Sequence, residues 1–254
     1  MSLTSLFVGK NRQHFETLES THQYLADLLS KINPHGGYCI SSDFQSGGRG
    51  QIGRSWHSER GKNILVSYVF YPEGVAASAS FVLNQWVSVA LVDVLLHYNI
   101  YDVTIKWPND VYVGKKKIGG ILIQNMLRGQ EIKSSIISVG LNVNQVAFPD
   151  DLPNPTSMNL ETATTFNSAD VLASLHHFLE KRYTQFKKET TLRKLKKVYI
   201  SRLFGVDTFN TYQKEDGTIF QAKVHEVGED GVLYLLDDYG KIEGFLFRNV
   251  RMII

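Results

Sequence analysis

Three short runs carry residue types that could do chemistry. SGGRGQIGRSW, residues 46–56, sets Gly47, Gly48, Gly50 and Gly53 beside Arg49 and Arg54 and closes on Trp56. Consecutive N–H groups on glycine-permitted backbone form a concave anion site, guanidinium groups suit carboxylate or phosphate, and an indole offers a flat surface to a heterocycle. The bland alternative is a surface loop anchored by its tryptophan. The second run is Lys106-Trp107-Pro108-Asn109-Asp110, followed by Lys115, Lys116, Lys117, Ile118, Gly119 and Gly120. Asn-Asp after proline is turn chemistry, and a lysine triplet is ordinarily a solvated hairpin tip. Lys117, however, stands at the edge of an apolar strand ahead of a glycine pair, and glycines inside a strand mark close approach of a ligand or another backbone. In the third run, Val139 to Asn144, alternation puts Asn142 and Asn144 on one strand face, where amides either meet solvent or read a purine edge.

The elements that must position these runs follow from pattern. Ser20-Thr21-His22-Gln23 has the S-x-x-Q form of a capping box. It starts a helix with Tyr24, Leu25, Leu28, Leu29 and Ile32 on one face, ended by Pro34, Gly36 and Gly37. GYCIS and KNILVSYVFY read as strands, and about Ser78 to Tyr98 as a largely buried helix. VTIKW is a strand, the next two strands turn at Gly114-Lys115, and another follows a turn at Gly129. Residues 146–167, with Pro149, Pro153 and Pro155, read as a loop; 169–188 and 191–204 read as helices. After Gly205, short strands with turns at EDG, GEDG and DYG indicate a small all-β unit. Tight turns between strands predict an α+β fold: a central mixed, largely antiparallel sheet with flanking helices over 1–203, and a small C-terminal β-barrel over 204–254.

Composition bounds the rest. Of 254 residues 43% are hydrophobic and 20% charged, with a formal net charge of +2, too weak to argue for nucleic acid from bulk charge. An anionic ligand must be held by a local cluster. The lone Cys39 excludes an intrachain disulfide and fits a reducing cytoplasm. No Cys/His metal spacing occurs, the start lacks an apolar leader, and runs such as NILVSYVFY and SVALVDVLL read as too short or interrupted to span a bilayer.

Taken together, the three runs resemble the catalytic core of the biotin protein ligases. ESTHQYL (Glu19 to Leu25), Gly48 to Trp56, KWPNDVY with Lys117-Ile118-Gly119-Gly120, and Gly140-Leu141-Asn142 occur in that family's order over about the first 145 residues. The helical pair and β tail resemble its end. The resemblance implies a class II synthetase-like catalytic fold with an SH3-like C-terminal barrel. It also implies a two-step reaction: biotin and ATP give biotinyl-AMP and pyrophosphate, and biotin then passes to one lysine of a biotin carboxyl carrier protein or domain.

By the same resemblance, Ser20, Thr21, His22, Gln45, Gly48, Arg49, Gly50, Gln51, Lys117 and Gly120 bind biotin. Arg49, Gln51, Arg54, Trp56, Asn109, Lys117 and Asn142 bind ATP and the adenylate, with Mg²⁺ on the phosphates. Arg54, Asp110 and Lys117 are the catalytic set. Arg54 and Lys117 bring two anions together; Asp110 orients the acceptor amine, since an Asp with a pKa near 3.9 is a poor base for a lysine near 10.4. A homodimer is compatible with the resemblance. The helix-turn-helix that some members carry has no room ahead of ESTHQYL, so DNA binding is not expected. Gln51 and His22 depart from the arginine and asparagine often found at those positions. Lipoate ligases, which share the fold and adenylate chemistry, are the alternative.

Overall fold

The computed structural model describes residues 3–51, 53–184 and 189–253, without the side chains of 189–191. Seven strands form the main sheet: β1 (Arg12–Phe15), β2 (Cys39–Ser42), β3 (Asn63–Phe70), β4 (Val103–Lys106), β5 (Asp110–Val113), β6 (Lys116–Arg128) and β7 (Glu131–Asn142). Their order is β1-β2-β3-β7-β6-β5-β4. Only β1 and β2 run parallel, so the sheet is mixed and largely antiparallel, as expected. The β5–β6 turn lies at Gly114-Lys115 and the β6–β7 turn at Gly129, where both glycines have positive φ.

β3 reads as an unbroken apolar run because both faces are covered. Ile64, Val66, Tyr68 and Phe70 pack into one core cluster, and Val69 packs into the other with Leu25 of α1 (Thr21–Leu29), Ile40 and Ile136. The larger cluster lies under α2 (Val82–His97) and α4 (Ser168–Tyr183). α2 starts later than the sequence pattern suggests, after a 3₁₀ turn at Ala77–Ala79. Contrary to the sequence reading, Ala77–His97 is long and apolar enough to cross a bilayer; it is instead mostly buried in the protein core. Trp86 on α2 donates to the Leu179 carbonyl and packs edge-on to Phe70.

The loop expected over 146–167 contains α3 (Met158–Thr162), capped by Ser157, whose Oγ accepts from Leu160 N–H. Five residues are too few for a periodicity to show. α5 (Glu189–Ser201) follows, and the part of the helical reading over 185–188 lies outside the described residues. Residues 202–204 cover the β4 edge: Ile105 N–H donates to Arg202 O and Phe204 N–H to Ile105 O. A second, antiparallel sheet follows, made of β8 (Asn210–Lys214), β9 (Ile219–Val227), β10 (Leu233–Asp237), β11 (Ile242–Phe245) and β12 (Val250–Met252), in the order β11-β10-β9-β8-β12.

The N-terminal segment is held by one buried carboxylate. Glu180 on α4 accepts from the backbone N–H groups of Leu6, Phe7 and Val8 at 2.7–3.0 Å. Burial pushes its pKa up, but those N–H groups outweigh burial and hold it below the usual carboxylate value. A lowered folded-state pKa contributes stability that is present above the unfolded pKa, near 4.3, and is lost as pH falls through the folded value. Glu180→Gln is expected to cost about 2 kcal/mol at pH 7. The difference from the parent should shrink below pH 4 in urea unfolding curves.

Candidate active site

The site begins where α1 meets the sheet. Ser20 is the N-cap, its Oγ accepting from Gln23 N–H. The return half of the expected capping box is absent. Gln23 instead donates to Asp27 and accepts from Arg49 Nη1 at 2.6 Å, which ties the glycine loop to the helix.

Thr21 and His22 enter a chain of neutral hydrogen bonds. Gln45 Oε1 accepts from Thr21 N–H and Oγ1–H; Thr21 Oγ1 lies 2.8 Å from Ser67 Oγ, and Ser67 Oγ 2.7 Å from Ser138 Oγ. Ser138 Oγ is 2.7 Å from His22 Nδ1, and His22 Nε2 is 2.8 Å from Gln124 Oε1. Burial lowers the His22 pKa, Gln124 opposes this and Arg49 adds to it, so the imidazole is neutral at pH 7. Sequence reasoning missed Ser67, Ser138 and Gln124. The signal was there in part: a serine in the middle of an apolar strand must find a partner.

The glycine loop closes on itself as a small ribbon. Trp56 N–H donates to Gly48 O, Gly50 N–H to Arg54 O and Arg54 N–H to Gln51 O. The N–H groups of Gly50, Arg54 and Trp56 are therefore engaged within the loop. Gly48 is needed for the closure, since a Cβ there would stand 2.3 Å from Trp56 O. The Trp56 indole then lies over two sheet glycines. A Cβ on Gly140 would meet the ring at 2.5 Å and one on Gly120 at 3.0 Å. The close approach marked by the glycines is thus, in this state, an aromatic ring from the protein itself.

A β-bulge aims the key lysine. Asp110 pairs with Gly120 and Val111 with Gly119, but Tyr112 pairs with Lys117. In an unbroken register Lys117 would face Val113 and point away from Asp110; Ile118, the extra residue, turns it to the face of Asp110 and Tyr112. The backbone is fixed there by loop 154–156: Lys117 N–H donates to Asn154 O and Thr156 N–H to Lys117 O. Lys117 Nζ reaches Asp110 Oδ1 at 2.7 Å and lies 5.5 Å from the Trp56 ring centroid. Lys106, directly opposite Asp110 across β4–β5, shares the same face. Burial lowers its pKa, with Asp110 opposing and Lys117 and Arg54 adding to the effect.

These groups enclose a cavity of about 80 Å³. Ser20, Thr21, His22, Gln45, Arg49, Gly50, Gln51, Arg54, Trp56, Asn109, Asp110, Lys117 and Gly120 all line it. Gly48 and Asn142 do not line it. Asn109 Nδ2 donates to Ile121 O, and Asn142 Nδ2 donates to Thr156 O while its buried Oδ1 has no protein partner. Asn144 lies beyond β7 and exchanges hydrogen bonds with the Phe166 backbone, so the expected pair of amides on one strand face does not form. Among the described residues, no three His, Cys, Asp or Glu side chains gather as a metal site.

A fold and a cavity lined by both neutral hydrogen-bonding and charged groups are thereby defined, and sequence comparison supplies the class. The chain belongs to the biotin/lipoate A/B protein ligase family, whose profile matches residues 14–144. Similarity extends further in individual relatives. The chain is 30% identical over 231 residues to the bifunctional ligase/repressor BirA of Bacillus spizizenii, covering 90% of this chain and 70% of the relative. It is 38% identical over 133 residues to biotin–protein ligase 2 of Arabidopsis thaliana, covering 50% and 39% respectively. The fold matches that of the Aquifex aeolicus biotin protein ligase in complex with biotin and ATP, with a TM-score of 0.75 over 96% of this chain and 99% of that one, at 24% identity.

Proposed function

We propose that the protein joins biotin to ATP, forming biotinyl-AMP, and transfers the biotinyl group to a lysine of a carboxylase carrier domain. One observation carries this reading: neutral hydrogen-bonding groups and cations line the same cavity. Thr21, His22, Gln45 and Ser138 line it, backed by Ser67 and Gln124 through hydrogen bonds, and Arg49, Arg54 and Lys117 line it too. Biotin has the matching polarity, with a neutral ureido ring that donates and accepts hydrogen bonds at one end and a carboxylate at the other. A dithiolane, the ring of lipoate, would leave the neutral groups without a partner, at a cost of the kind that makes polar pockets selective.

In the first step the carboxylate oxygen attacks the α-phosphorus, and the P–O bond to pyrophosphate breaks. Arg54 and Lys117 stabilise the charge gathered there. Trp56, with Asn109, would flank the adenine. The site offers no cluster of carboxylates, so Mg²⁺ fits as the counter-ion of the phosphates themselves. Trp56, seated over Gly120 and Gly140, would have to shift for the adenylate to occupy that part of the cavity. In the second step the acceptor amine attacks the anhydride carbonyl and AMP leaves. Cys39 takes no part: it is fully buried, and burial pushes its thiol up to about 12. The lone cysteine supports a reducing, cytoplasmic setting. Purified protein given ATP, Mg²⁺ and either biotin or lipoate should release pyrophosphate with biotin and label a biotin-acceptor domain. Release with lipoate alone would overturn the assignment.

A further inference from the structure

The transfer step leaves a proton without a destination. The acceptor lysine arrives as an ammonium and must be neutral to attack. Delivering its proton to a carboxylate of ordinary pKa is uphill by about six orders of magnitude. Lys117 Nζ is engaged by Asp110 Oδ1 at 2.7 Å. Lys106 is different. It stands directly opposite Asp110 on the same face of the sheet, yet makes no ion pair within 4.0 Å among the described residues. Its Nζ lies 5.2 Å from the Tyr112 ring centroid. It also lines a second cavity, of about 480 Å³, between the main sheet and the C-terminal sheet. The two cavities share Arg54, Asn109 and Asp110, so Asp110 separates the adenylation chamber from a roomier cleft.

We infer that Lys106 is the proton acceptor for the incoming lysine in the transfer step, and that the second cavity is the route by which that lysine arrives. This rests on the proposed biotinyl transfer. The acceptor ammonium gives a proton to the free-amine form of Lys106 beside Asp110. Its freed nitrogen pair forms the C–N bond to the biotinyl carbonyl, the C–O bond to AMP breaks, and AMP departs with the second proton of that nitrogen on its phosphate. Lys106 then returns its proton to water in the open cleft. Transfer between two amines is nearly balanced, which a carboxylate cannot offer. Burial favours the neutral form of Lys106, as do the charges of Lys117 on β6 and Arg54 on the loop, with Asp110 on β5 opposing. From the C-terminal sheet side, Lys214, Glu215, Arg248 and Arg251 line the same cleft. Lys214 is paired with Glu243 at 2.7 Å.

The test separates charge from basicity. Adenylation is followed by pyrophosphate release, and transfer by loading preformed biotinyl-AMP and adding an acceptor domain. In Lys106→Met the loss in transfer should exceed the loss in adenylation by about 100-fold. Lys106→Arg keeps the charge but cannot release a proton, so it should share the transfer defect. Hydroxylamine, already neutral at pH 7, should discharge biotinyl-AMP equally well in parent and variants. In the parent, lysine transfer should rise with pH more steeply than hydroxylamine discharge. Parent-like transfer by Lys106→Arg, equal losses in both half-reactions, or the same loss with hydroxylamine would each overturn the role. Absence of biotinyl-AMP in the parent would instead defeat the underlying function.

Discussion

Lys117→Ala is expected to slow adenylate formation by roughly 100- to 1,000-fold, the range for removing one preorganised charge from a developing anion. Lys117 is placed by the bulge at Ile118 and by backbone bonds to Asn154 and Thr156, so its position is set before substrate arrives. Its ammonium faces Asp110 across 2.7 Å in a partly exposed pair, and such pairs add little to stability. The variant should therefore unfold within about 1 kcal/mol of the parent while losing catalysis. Single-turnover pyrophosphate release measures the first quantity and urea unfolding the second. An unchanged release rate would remove Lys117 from the charge assignment.

Asp110→Asn should divide the reaction. The amide keeps the size of the carboxylate and can accept from Lys117, but it no longer carries the charge that lies between Lys117 and Lys106. Adenylation should change by less than about 10-fold, whereas transfer from preformed biotinyl-AMP should fall by roughly 100-fold, since orientation and electrostatics of the acceptor are both lost. Equal losses would mean that Asp110 acts only through Lys117 in the first step.

Much of this arrangement was legible in the sequence. Strand order along the chain, both hairpin turns, the Ser20 cap and the change to a second β unit all follow from period and turn residues. Thirteen of the proposed site positions line one cavity. What escaped was non-local. A period of two cannot show which strand carries an extra residue, so the turn of Lys117 toward Asp110 emerges only from the β5–β6 register. The Gly119-Gly120 pair announced a close approach without saying what approached, and Gly140 lies under the same ring as Gly120. Ser67, Ser138 and Gln124 joined the site through partners on other elements. Gly48 and Asn142 belong to the frame because Gly48 O accepts from Trp56 N–H and Asn142 Nδ2 donates to the Thr156 carbonyl.

The seat of Trp56 has a practical consequence. The chain has three tryptophans. Trp86 is fully buried and donates to Leu179 O, and Trp107 donates to Gly231 O. Trp86 belongs to the packed core, whereas Trp107 is half-buried and lines the second cavity. Trp56 alone rides on the glycine loop, with a buried indole nitrogen that has no protein partner. The protein thus carries its own optical probe of this seat, and a change in its emission colour on adding biotin or ATP would report Trp56 leaving Gly120 and Gly140 without any attached dye.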